Sequence, residues 1–115
     1  MIDLYVDEGY AYDYLAILMV KEAKMPSDAT AKARESCHHY IAVQVGFNTH
    51  QTILQSFEFR QLIQANELTF DAVQKARYGQ ISAQEVDDLN MSRYHCKIAL
   101  QKKFFPHYHP TEVKS

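Results

Sequence analysis

SAQEVDDLNMSRYHCKIALQKKFF, residues 82–105, decides the fold class. It opens on Ser82-Ala83-Gln84-Glu85, a capping box in which serine and glutamate satisfy orphan backbone donors of a helix start. No glycine or proline follows until Pro106, which stops a helix because it lacks a donor and clashes with the preceding turn. At roughly 100° per residue, Val86, Leu89, Cys96, Leu100 and Phe104 form one apolar stripe. Met91, Tyr94, Ile98 and Phe105 form a second, and Asn90, Arg93, Lys97 and Gln101 run between them. A helix with two apolar stripes packs on two neighbours, or on one neighbour and a partner subunit. The polar strip, with Tyr94 and Ile98 beside it, is therefore the candidate interface or groove.

Working outward, Gly79 closes a short helix that Thr69 can cap, and Asn48 or Thr49 can cap a third helix running to about Ala65. Ser27 or Asp28 opens a second helix that ends at Gly46, a good residue just past a helix end. Pro26 ends a first helix that starts between Asp3 and Tyr10. The expected fold is all-α: four main antiparallel helices, bundle-like, with a short extra helix before the last. Residues 1–105 form a single helical domain and residues 106–115 a C-terminal tail. The phase of the first helix puts Leu4, Ala11, Leu15, Leu18 and Met19 inward, with Glu8 and Glu22 on the same face. Inward acids need partners, and Arg93 or Lys97 is the expected partner of Glu22. The second helix is expected to bury Ala29, Ala33, Cys37, Tyr40, Ile41 and Val45.

The composition agrees. Of 115 residues, 47% are apolar and 23% charged, a globular balance, and 3 Gly with 3 Pro are too few for a turn-rich sandwich or barrel. The net charge of −2 gives no global attraction to nucleic acid. Acids nonetheless dominate the first thirty residues and bases the last twenty-three, as for an acidic first helix lying near a basic last one. Cys37 and Cys96 read as buried free thiols. The apolar run Tyr14–Val20 is too short to cross a bilayer. The N-terminus shows neither the basic start nor the cleavage site of a signal peptide, so the expected setting is the cytoplasm.

Several constellations approach a chemistry. Glu35-Ser36-Cys37-His38 has the Glu-x-x-His spacing of carboxylate-bridged di-metal bundles, and Glu8, Glu22 and Glu58 could supply the other helices' acids. A second such motif is missing, because Ser92 stands where His95 would need a glutamate. Cys37, His38, His95 and Cys96 suit zinc by type, but adjacent helical residues diverge by about 100°. Gly79 to Glu85 resembles half a calcium loop whose other half lacks acids. A DNA-reading last helix would need Arg93 and Lys97 exposed, and Asp87 and Asp88 near its start repel phosphate. No phosphate loop, nucleophile motif or cofactor motif is present.

Leu68 to Phe105 (LTFDAVQKARYGQISAQEVDDLNMSRYHCKIALQKKFF) and the start MIDLYVDEGYAYDYLAIL resemble small helical proteins encoded by tailed bacteriophages, marine ones included. The resemblance covers most of the chain but carries over no catalytic or binding residue. It implies a host-cytoplasmic setting and an accessory role. The reading is a non-enzymatic interaction protein acting as a homodimer through its last helix. A metal-binding helical protein and a nucleic-acid-binding one are the alternatives.

Overall fold

The computed structural model describes residues 7–106. They form five helices: α1 (Glu8–Lys24), α2 (Asp28–Val45), α3 (Phe47–Leu54), α4 (Phe57–Arg77) and α5 (Ala83–Phe104). No strand occurs among the described residues, and the all-α, bundle-like class holds. No helix among them is long and apolar enough to cross a membrane.

Four helices start on a side-chain cap. Asp7 accepts from the Tyr10 N–H, Ser27 from Thr30, Ser56 from Phe59 and Ser82 from Glu85. Each satisfies one of the donors that a first helical turn leaves open. The Ser27 and Ser82 caps are those expected, and the Glu85 carboxylate accepts from the Ser82 hydroxyl at 3.4 Å.

The chain divides differently in its middle. Thr69 caps nothing: its hydroxyl donates to the Ala65 carbonyl at 2.8 Å, a bond that fits inside a helix, and α4 runs on to Arg77. The short helix is α3, which precedes α4 instead of α5. Ser56 makes the break. Its hydroxyl donates to the Ile53 carbonyl at 2.6 Å and accepts from the Phe59 N–H at 3.1 Å, so one side chain closes α3 and opens α4. Gly46, at φ 97°, joins α2 to α3 directly, a backbone conformation that glycine adopts without a Cβ penalty. Asn48 and Thr49 therefore lie inside α3.

α4 packs against α1, α3 and α5, and α1 packs against α2, α4 and α5. Its sequence explains this: apolar residues lie on several sides, and Tyr12, Leu15, Ala16, Leu18 and Val20 are all buried. Tyr12, Leu15 and Ala16 meet Ile41, Ile53, Phe59, Leu62 and Leu100 in one core. Each large apolar side chain so buried contributes about 1.5–3 kcal/mol before conformational entropy is counted. Ala11, Met19, Cys37, Val45, Cys96 and Phe104 pack against this core as expected.

α2 departs from expectation. It leans on α1 and α3 only along a narrow edge, so Ile41 is its one buried residue. Ala29 is exposed, and Tyr40 is 68% exposed. Tyr40 lies at the margin of the stripe formed by Cys37, Ile41 and Val45, and neither α1 nor α3 covers it. Leu4 and most of the tail lie outside the described residues.

Candidate functional site

The polar strip of α5 faces α1, with the two helices antiparallel. The approach is close at Gly9, where a Cβ would stand 3.0 Å from the Lys97 carbonyl oxygen and 3.1 Å from Gln101 Oε1. The absent side chain lets Gln101 reach the backbone of another helix. The Gly9 N–H donates to Gln101 Oε1, and Gln101 Nε2 donates to Glu8 Oε1 at 2.9 Å. Gln101 thus caps an open donor in the first turn of α1 across the seam, which is why a glutamine is among the buried polar residues.

One turn further along α1, Asp13 is 7% exposed. Arg93 grips it from α5 in bidentate fashion, Nε to Oδ1 at 3.1 Å and Nη2 to Oδ2 at 2.9 Å. Asn66 of α4 donates to the same carboxylate at 3.0 Å and to the Leu62 carbonyl at 3.0 Å. A buried charge is tolerated when paired and hydrogen-bonded, and this triad ties α1, α4 and α5 together.

Sequence phase alone missed Asp13, which sits among apolar residues. Glu22 was the acid expected to meet Arg93 or Lys97. It instead meets Arg34 of α2, Nε to Oε1 at 2.6 Å. The reason is topological: Glu22 lies at the end of α1 next to the α1–α2 turn, whereas Arg93 lies opposite the helix's first half.

Above the triad the seam opens to solvent. Lys97 Nζ stands 5.6 Å from the ring centre of Tyr10 and 5.2 Å from that of Tyr94, within the reach of a cation–π contact. The two rings are 53% and 48% exposed, and Tyr14 and Met91 are exposed as well. Of the second α5 stripe, Met91 and Tyr94 are exposed while Ile98 and Phe105 are half-buried. Asn90 is exposed and lies 3.5 Å from Arg93 Nη1.

The candidate metal ligands do not gather. Glu8 is tied to Gln101, Glu22 to Arg34, and Glu58 to Lys103 at 3.2 Å, while Glu35 is exposed on α2. His38 pairs with another histidine. Among the described residues no group of three or more His, Cys, Asp or Glu side chains could hold an ion. The Glu58 carboxyl is held below its ordinary range, first by its own backbone N–H and further by Lys103. Cys37 and Cys96 are unpaired and half-buried. Burial pushes both thiols up, and the Asp13 charge adds to this at Cys96, so neither is an activated nucleophile. The exposure that a DNA-reading helix demands of Arg93 is not met, since its guanidinium is committed to Asp13.

A second polar chain runs through the core. The Tyr12 hydroxyl lies 2.8 Å from His50 Nδ1, and His50 Nε2 lies 3.1 Å from His38 Nδ1. Tyr12 is fully buried, so its proton needs the His50 nitrogen as acceptor. His50 then donates from Nε2 to His38. Burial lowers both imidazoles, with Arg34 adding to the effect at His38 and His38 at His50. Burial likewise pushes the Tyr12 hydroxyl up. All three groups therefore stay neutral near pH 7. The sequence presents His38 as a candidate metal ligand, beside Glu35 or with Cys37, His95 and Cys96, and not as a partner of His50; His50 in Asn48-Thr49-His50-Gln51 gives no local sign of its burial.

No protein-family model, no curated protein and no solved structure matches the chain.

Two of the open grooves among the described residues flank α5 and α1. One, of about 520 Å³, lies between α4 and α5 beside Phe57, Met91 and His95. The other, of about 450 Å³, lies between α1 and α4. The Tyr12–His50–His38 chain lines neither.

Proposed function

We propose that the protein is a non-enzymatic interaction module that associates with a second copy of itself across the outer edge of the α1/α5 seam. The observation that carries this reading is Lys97 held between the exposed rings of Tyr10 and Tyr94. Tyrosines present rigid, amphipathic area at low entropic cost, and protein interfaces are enriched in them. Tyr14 lies one turn along α1 from Tyr10, and Met91 about one turn along α5 from Tyr94, so the apolar area extends in both directions. A two-fold arrangement would set Tyr10 of one copy against Tyr94 of the other and repeat the contact by symmetry. The phage resemblance belongs to the same proposal, as an accessory role in a host cytoplasm.

Light scattering on the purified protein tests it. A molar mass near twice the 13.4 kDa chain mass is expected, falling to the chain mass in Tyr94→Glu with the helical circular dichroism unchanged. A wild-type protein that stays at the chain mass at about 100 µM, a concentration that would populate any dimer of micromolar affinity, overturns the reading.

A further inference from the structure

The open cavity between α1 and α4 differs in chemistry from the one between α4 and α5, whose lining includes Glu58 and Asp88. Ile17 and Val20 of α1 face Phe70 and Val73 of α4 across it, and the buried Asn66 and Thr69 form a polar floor. Three cations, Lys21, Arg77 and Arg93, line it, and no carboxylate does. That asymmetry occurs in a chain whose formal net charge is −2. Of the neighbouring acids in sequence, Glu22 is occupied by Arg34 and Asp71 by Lys24, while Glu67 is exposed and outside the lining. Arg93 is held by Asp13, whereas Lys21 and Arg77 are exposed and make no ion pair among the described residues.

We propose that this cavity is a binding site for a small amphipathic anion, a carboxylate carried on an aliphatic body. The apolar walls would take the body and remove it from water, worth about 25 cal/mol per Å² of apolar area. Lys21 and Arg77 would meet the carboxylate at the mouth, where charge-assisted hydrogen bonds are stronger than neutral ones. At about 450 Å³ the space falls within the range of small-molecule sites. A free carboxylate head is favoured over a cationic one because the acid bonded to the lining, Asp13, is already paired with Arg93, which leaves Lys21 and Arg77 as the uncompensated charges. The site is separate from the Tyr10–Lys97–Tyr94 surface, so it stands or falls independently of self-association.

The test is a titration with sodium decanoate, below its micelle concentration, followed by amide chemical shifts and by calorimetry. Saturable binding in the sub-millimolar range is expected, with the largest shifts at Val20, Lys21, Thr69, Val73 and Arg77. The double variant Lys21→Gln/Arg77→Gln removes two exposed charges without placing an acid at a helix end, so its thermal melt should stay close to wild type while decanoate affinity drops at least about tenfold. Decylammonium should not bind at this site. An absence of localised shifts with decanoate overturns the proposal. So does binding that the double variant leaves unchanged, and so does equal binding of decylammonium, since either result would reduce the cavity to apolar surface without selectivity for an anion.

Discussion

Removing the Arg93 guanidinium would leave the Asp13 carboxylate buried with Asn66 as its one remaining polar partner. Breaking a buried pair from one side costs roughly 3–5 kcal/mol, and the partial exposure of the Arg93 side chain lowers this to about 2 kcal/mol. Arg93→Ala is therefore expected to shift urea unfolding to a lower midpoint at unchanged m-value. A shift worth less than about 0.5 kcal/mol would show that Asp13 finds water when Arg93 is gone. The role of Arg93 is thus structural: it sets the register of α5 on α1. In the sequence its place in the polar strip was legible and its partner was not. An aspartate between Tyr12 and Tyr14 carries no periodic sign of burial, because α1 is enclosed on several sides and one-face periodicity fails there.

Between helices, the decisive position is Gly9. A methyl group at 3.0 Å from the Lys97 carbonyl must push α5 away, and that contact is with backbone, which cannot rotate aside. Overpacking costs about 1–3 kcal/mol, while replacing glycine by alanine in a helix returns about 0.5–1 kcal/mol, and less in a first turn. Gly9→Ala should destabilise by about 1 kcal/mol, seen as a lower melting temperature, and should release the Gln101 cap, seen as faster amide exchange at Gly9. Element starts that rest on Ser27 and Ser82 were readable from local chemistry alone. The α3–α4 break was not, since Ser56 acts through both its donor and its acceptor and no capping box follows it. Thr69 misled for the complementary reason: a threonine that bonds back to its own helix looks in sequence like one that caps the next.

For the whole molecule, the Tyr12–His50–His38 chain makes stability depend on pH. Both imidazoles have folded-state values below the ordinary 6.5, so the unfolded chain takes up protons first as pH falls. Stability is fully present above about pH 6.5 and declines as pH drops through that value towards the lowered folded ones. A proton added to His50 would place an N–H donor against the Tyr12 oxygen and leave the hydroxyl proton without its acceptor. Urea unfolding from about pH 8 to about pH 5 should show this decline, and His50→Gln should flatten it. A wild-type profile that is level across the range would disprove the assignment. The overall class, the helix content and the inward stripe of α5 were legible in the sequence because they follow from spacing along one helix. Packing around α1 was not, because it depends on which residues eighty or ninety positions apart come together.

The enclosure of α1 has a consequence for how the protein is made. Asp13 waits for Arg93 across a separation of 80 residues, and Gly9 waits for Gln101 across 92. At a translation speed of about 5–20 residues per second, the ribosome delivers those partners roughly 4–18 s after α1 has been synthesised. Through that interval α1 can dock on α2 and α4 but lacks the partners that α5 supplies to Gly9 and Asp13. Completion of α5 then closes the molecule in a late step governed by long-range contacts, which fold more slowly than local ones.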